Sequence, residues 1–152
     1  MSENLLEGEY VPSTDPATRD QVELYERTDG REGGTMMGGP VIVLTMRGAR
    51  SGKLRKVALM RIERDGVYAV GASAGGQARN PGWFHNLVEN PTVQLQDGAE
   101  RRLMTARLAE GREREDWLAY ADQLYPFFAD MRERAASNNR EIPLVLLEPT
   151  RT

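Results

Sequence analysis

The chain has no cysteine and only one histidine, His85, among its 152 residues. The first absence excludes a disulfide scaffold, a cysteine-ligated metal and a cysteine nucleophile. The second argues against a histidine-rich zinc site and against most serine-triad hydrolases, so no metal site is expected. No DxD, HExxH, GxSxG or P-loop pattern is present, which leaves hydrolysis and kinase chemistry without visible equipment. No apolar run approaches the roughly 18 residues of a membrane span. No signal-peptide pattern is found either, so a soluble, cytoplasmic protein without stable membrane insertion is expected. Repeats, low-complexity tracts and linkers are also missing. One further absence is local: no Asp or Glu lies between Gly33 and Ile62, while Arg47, Arg50, Lys53, Arg55, Lys56 and Arg61 all do.

What is present is organised around Gly39–Leu59. An apolar run, Val41–Leu44, enters the tight turn Arg47-Gly48-Ala49-Arg50-Ser51-Gly52-Lys53, and a second run follows from Arg55 to Ile62. A turn that gathers cations, a hydroxyl and two glycines is equipped to hold an anion. Guanidinium donates in a planar fork that suits phosphate, Ser51 adds a donor, and glycine lets backbone N–H groups come close. The competing reading is a solvated basic hairpin turn. With 20 Lys+Arg against 23 Asp+Glu the net charge is -3, so the whole protein is not a polyanion binder. A nucleic-acid module ranks last, because the basic turn lacks interleaved aromatics.

The length suits one domain that buries about two-thirds of its unfolded surface. Residues 1–13 are polar and acidic and are expected to be loosely ordered, with a single domain over 14–152. A helix is expected from Asp15-Pro16, as cap and first residue, to about Thr28, with Gly30 able to end it and Val22 and Tyr25 as its thin apolar side. Gly30–Gly39 reads as a glycine-rich loop. Strands follow over about Pro40–Met46, Arg55–Glu63 and Val67–Ala72, the last two joined by the Arg64-Asp65-Gly66 turn, as an antiparallel meander. Ser73–Pro81 is a glycine loop leading into a short helix, with Asn80 as cap, Pro81 first and Trp83, Phe84 and Leu87 as apolar face. Thr92–Gln96 and Arg101–Leu108 form a second hairpin across Asp97-Gly98, with Met104, Ala106 and Leu108 the more apolar set of its second strand. Gly111–Leu124 is an amphipathic helix on Trp117, Leu118, Ala121 and Leu124, broken at Tyr125-Pro126 before a second helical piece with Phe127, Phe128 and Met131. Ile142–Leu147 is a last buried strand, and Pro143 places it at an edge or at its start. The total, about six strands with three or four helices, is an α+β protein: a closed or split antiparallel barrel with helices outside.

Two glycine-bearing loops carry the chemical interest, the basic turn and Ser73–Gly76 with the helix start behind it. Free N–H groups at a helix N-terminus attract anions. If both loops face one cleft, the ligand carries a phosphate and further negative charge, and Trp83, Met36, Met37 and Met60 can cover a flat ring. Ordinary turn geometry and core packing are the competing readings for the glycines and for Trp83. His85 titrates near neutrality but has no carboxylate paired with it by spacing. Tyr125 sits at a helix break and can point a phenol into a cleft.

Three blocks, TMRGARSGKLRKVAL, ASAGGQARNPGWFHNLVENPTVQLQ and LYPFFADMRERAASNNREIPLVLLEP, together resemble the deazaflavin-dependent nitroreductase family over about Gly38–Pro149. The resemblance implies a split antiparallel β-barrel that binds reduced coenzyme F420 and uses it to reduce organic substrates. Arg50, Ser51 and Arg55, with Ala49 beside them, are then expected to hold the phosphate region. Lys56, Val57, Ala58, Leu59 and Met60 are expected to line the ring and its side chain. Gly71, Ala72, Ser73, Ala74, Gly75 and Gly76 would approach the ring edge, and Gly82, Trp83, Phe84, His85 and Asn86 would complete the pocket. Tyr125 and Ser73 are the candidate catalytic residues, and Tyr125, Phe128 and Met131 the candidate substrate wall. The family often has Lys where this chain has Ala74, tyrosines where it has Phe128 and Met131, and a proline where it has Ala58.

The reading that follows is a cytoplasmic oxidoreductase moving hydride from reduced F420 to a quinone, enone or nitroaromatic. The alternatives are an FMN-binding oxidoreductase of the same barrel type and a non-catalytic F420 carrier. The expected partner is a small-molecule substrate rather than nucleic acid or membrane, and the expected assembly is a monomer or homodimer.

Overall fold

The computed structural model describes residues 5–72 and 80–150. Helix α1 spans Pro16–Thr28, followed by strands β1 (Thr35–Met36), β2 (Gly39–Arg47), β3 (Leu54–Met60), β4 (Glu63–Arg64) and β5 (Val67–Gly71). Helix α2 (Gly82–Glu89) precedes β6 (Thr92–Asp97) and β7 (Glu100–Leu108); α3 (Gly111–Leu124), α4 (Phe127–Ser137) and β8 (Leu144–Pro149) complete the described elements.

All pairings between these strands are antiparallel, in the order β1-β2-β6-β7-β8-β5-β4, with β3 on the other side of β2. Only Arg61 and Ile62 separate β3 from β4, so the path from β3 around to β4 returns to its own beginning and the sheet curls into a split barrel. The expected strand Arg55–Glu63 is therefore two strands. Arg61 N–H still donates to Pro40 O across β2, whereas Ile62 O accepts from Ala69 N–H of β5. The expected meander is corrected accordingly: β5 pairs with β4 and with β8, and its link to the β2–β3 hairpin runs through the bend.

Strand alternation sorts the core. Ile42, Leu44 and Met46 of β2, Tyr68 and Val70 of β5, and Val145 and Leu147 of β8 fill the barrel interior. The opposite parity of β2, Val41 and Val43, packs with Ala58 under Val22 and Tyr25 of α1. The opposite parity of β8, Leu144 and Leu146, packs under Trp117 and Ala121 of α3 and Phe128 and Ala135 of α4.

Helix α1 starts as expected, with the Asp15 carboxylate accepting from Thr18 N–H, and the left-handed residue at its end is Asp29, with Gly30 next. Three expectations change. At α2 the cap position is Pro81, and Asn80 instead takes a hydrogen bond from Arg140 on its Oδ1. The loop Gly30–Gly39 contains β1, folded back on β2 through Met37 and Gly38. Leu124 is 44% exposed and does not share the apolar face of α3.

Residues 5–11 are anchored: Leu6 is buried, Leu5 N–H donates to Gln94, and Glu9–Val11 hydrogen-bonds along Leu54. The polar composition of this stretch hides that anchoring, because one leucine and a few backbone bonds suffice.

Candidate functional site

The turn between β2 and β3 is built from backbone outward. Gly48 N–H donates to Lys53 O at 2.7 Å, Gly52 N–H to Gly48 O at 3.0 Å, and Lys53 N–H to Ser51 Oγ at 3.1 Å. The turn is docked on α2, where Asn86 Oδ1 accepts from Ala49 N–H at 2.9 Å. Between turn and helix lies a chamber of about 540 Å³, lined by Arg50, Ser51, Arg55, Gly82, His85 and Asn86 together with Ser13, which precedes α1, and Thr18 in its first turn. The two lysines of this region are paired, Lys53 with Glu9 at 2.8 Å and Lys56 with Glu26 at 2.6 Å. Arg50 and Arg55 have no carboxylate partner among the described residues. Two guanidinium groups without a carboxylate partner among the described residues, beside a hydroxyl, have the donor chemistry that suits an anion such as phosphate.

A second chamber, of about 340 Å³, is apolar. Leu59, Met60, Ile62 and Val70 form its floor, Phe127, Phe128 and Met131 of α4 one wall, and Met36 and Met37 the other. Trp83 lines both chambers, which makes them two halves of one cleft. Tyr125 brings a hydroxyl to this half, but that group donates to Arg61 O at 2.7 Å, and burial pushes its pKa above the ordinary tyrosine value. Its proton is thus held in the ground state and engaged by a carbonyl.

The candidate residues divide as follows. Ala49, Arg50, Ser51, Arg55, Lys56, Val57, Gly82, His85 and Asn86 border the cationic half; Leu59, Met60, Gly71, Tyr125, Phe128 and Met131 border the apolar half; Trp83 borders both. Ser73, Ala74, Gly75 and Gly76 lie outside the described residues, although Gly71 before them and Pro81 after them both border the apolar half. Three candidates sit elsewhere. Ala58 is buried under α1, because alternation turns it from the cleft. Phe84 packs on the barrel core and borders a separate hollow with Leu87, Val88 and Pro91. Ala72 is fully buried, its carbonyl taken by Arg140 Nη1 at 2.8 Å. Ile62, Val70, Phe127, Ser13 and Thr18 border the cleft without having been singled out. The first three carried a signal as apolar neighbours of named residues, whereas the last two become wall residues only through the packing of α1.

A curled antiparallel barrel whose cleft is cationic in one half and apolar in the other, with a tryptophan at the join, defines a split-barrel protein built for an amphiphilic, anion-bearing ligand. The chain belongs to the F420H(2)-dependent quinone reductase family, whose model matches residues 17–149. It is 36% identical over 85 residues to an F420H(2)-dependent quinone reductase of Mycobacterium tuberculosis, 55% of this chain and 57% of that one, so the match spans little more than half of that curated relative. A solved F420-H2 dependent reductase, FDR-A, is 43% identical with a TM-score of 0.66, over 72% of this chain and 94% of its own. A second solved relative, a domain-swapped dimer, is 39% identical with a TM-score of 0.68, over 86% and 96%.

Proposed function

We propose that the chain is a reductase that uses reduced coenzyme F420 to reduce an apolar, conjugated acceptor, with quinones ahead of enones and nitroaromatics. The observation that carries this reading is the two-part cleft joined at Trp83. Its donor set fits the group: two arginines without carboxylate partners among the described residues and a serine suit a phosphate, and the adjoining apolar walls suit a flat ring and a flat acceptor. When bound, the deazaflavin supplies a hydride.

The chain's own contribution is orientation and dryness. Arg50, Ser51 and Arg55 fix the anionic end, and Asn86 keeps their turn in place through Ala49. Leu59, Met60 and Trp83 hold the ring plane, while Phe128, Met131 and Phe127 keep water from the reacting face. From the family resemblance, Ser73–Gly76 would approach the ring edge. The Tyr125 hydroxyl keeps its proton and donates it in a hydrogen bond to the Arg61 carbonyl, so the proton that completes the acceptor comes from solvent once the reduced acceptor leaves the dry face. The apolar wall formed by Phe128 and Met131 favours quinones over nitro compounds, which need hydroxyls to orient them. Among the described residues no helix is long and apolar enough to cross a membrane; a cytoplasmic monomer or homodimer is the assembly we propose, and sedimentation tests it.

The cofactor is tested by fluorescence titration of the purified protein with F420, with FMN in parallel, for wild type, Arg50→Ala and Arg55→Ala. Binding at micromolar concentration or tighter, stronger than FMN and weakened in both variants, is expected. Equal or stronger FMN binding, or indifference to both arginines, contradicts the reading.

A further inference from the structure

We propose that Glu26 sets the charge of the anion chamber by holding Lys56 away from the ligand, so that Arg50 and Arg55 alone carry the ligand's negative charge. The inference rests on the deazaflavin reading above and refines which cations of the turn serve it. Along β3, alternation divides the residues between two faces. Val57 and Leu59 pack toward the barrel core, and Arg55 shares their parity. Lys56 shares the parity of Ala58, which is buried beneath Val22 and Tyr25 of α1. Glu26 follows Tyr25 directly, and its Oε2 lies 2.6 Å from Lys56 Nζ. Their side chains are only 16% and 6% exposed, and the Tyr10 ring covers the ammonium, 4.7 Å from Nζ to its centroid.

The stem of Lys56 thus borders the chamber while its charge faces a carboxylate and an aromatic ring. An anion placed in the chamber meets Lys56 and Glu26 as a close pair of opposite charges whose effects partly cancel. The pair of Lys53 with Glu9 lies outside the chamber lining, with side chains 51% and 68% exposed and its charge screened by solvent. The chamber therefore offers two committed positive charges.

The test compares F420 binding by fluorescence in wild type, Glu26→Gln and Arg55→Ala, with melting temperatures of the ligand-free proteins recorded to confirm folding. Glu26→Gln frees the ammonium and is expected to tighten binding about threefold or more, with a steeper loss of affinity on adding salt, while Arg55→Ala weakens it about tenfold. Unchanged or weaker binding in Glu26→Gln beside a weakened Arg55→Ala overturns the inference, because Lys56 would then already serve the ligand. An Arg55→Ala protein that binds like wild type would instead refute the anion-site reading itself. If Glu26→Gln does not fold, Lys56→Met decides: a loss below about threefold supports the inference, and a loss equal to that of Arg55→Ala overturns it.

Discussion

At Gly71 a Cβ would sit 2.5 Å from Cζ of Phe128, and at Gly39 another would sit 2.7 Å from Cε1 of Tyr125. Both aromatic rings owe their places to the missing side chains. Gly71→Ala must push Phe128 aside, which costs about 1–3 kcal/mol of stability as overpacking and drives the ring into the apolar chamber. A lower melting temperature together with a raised KM for the acceptor is the expected result, and a variant with wild-type values for both would contradict it. At Tyr125 the engaged hydroxyl gives an equally definite expectation. Tyr125→Phe loses one hydrogen bond, about 1 kcal/mol. Its rate should fall less than about tenfold, against the hundredfold or more that loss of a general acid brings. Steady-state assays distinguish the two. Gly71 and Tyr125 were both legible in the sequence as positions, Gly71 within a glycine-bearing strand end and Tyr125 at a helix break. Their pairing with Phe128 and Arg61 was not, because it joins elements more than fifty residues apart.

Among the elements, the basic turn and α2 act as one unit. Asn86 is the link, through its bond to Ala49 N–H. Removing it in Asn86→Ala should weaken F420 binding roughly fivefold, the equivalent of about 1 kcal/mol, with little change in melting temperature. Equal affinity in titrations of the two proteins would show that the turn holds its shape alone. Element boundaries divide by what sets them. Asp15-Pro16 marked the start of α1 because cap and first residue are local chemistry, and the Asp15 carboxylate does accept from Thr18 N–H. The break between β3 and β4 was hidden inside the apolar run up to Ile62. It arises where the strand leaves β2 for β5, a change of partner that no local pattern records. Asn80 failed as the cap of α2 for a similar reason, since Arg140 from beyond α4 claims its side chain. Likewise, the run Lys56–Met60 read as one lining, but Ala58 is buried toward α1 and the Lys56 ammonium is paired there with Glu26.

For the whole molecule, closure of the barrel explains why the six long strands were visible while their order was not. Each strand shows its own alternation, but the pairings of β5 with β8 and of β2 with β6 are long-range facts. The cleft follows from this closure: its cationic half lies at the β2–β3 turn and its apolar half where β3 bends toward β5 under α4. Burial has a further global consequence. Tyr10, Tyr25, Tyr68 and Tyr125 all have hydroxyls whose pKa is raised, chiefly by desolvation. The unfolded chain releases these protons first, near the ordinary tyrosine value of about 10. Stability from this source is therefore complete below that pH and is lost as pH rises toward the folded values. Melting temperatures should fall steadily from about pH 10 upward, and a flat profile to about pH 11.5 would contradict the burial described here.

The most direct test of the central claim follows the absorbance of reduced F420 mixed with the purified protein and a naphthoquinone, with controls lacking protein or quinone. Oxidation of the coenzyme that requires both protein and quinone, and that slows in Arg55→Ala, is the predicted result. Tight coenzyme binding with no oxidation by quinones, enones or nitroaromatics would contradict it and leave a carrier in place of an enzyme.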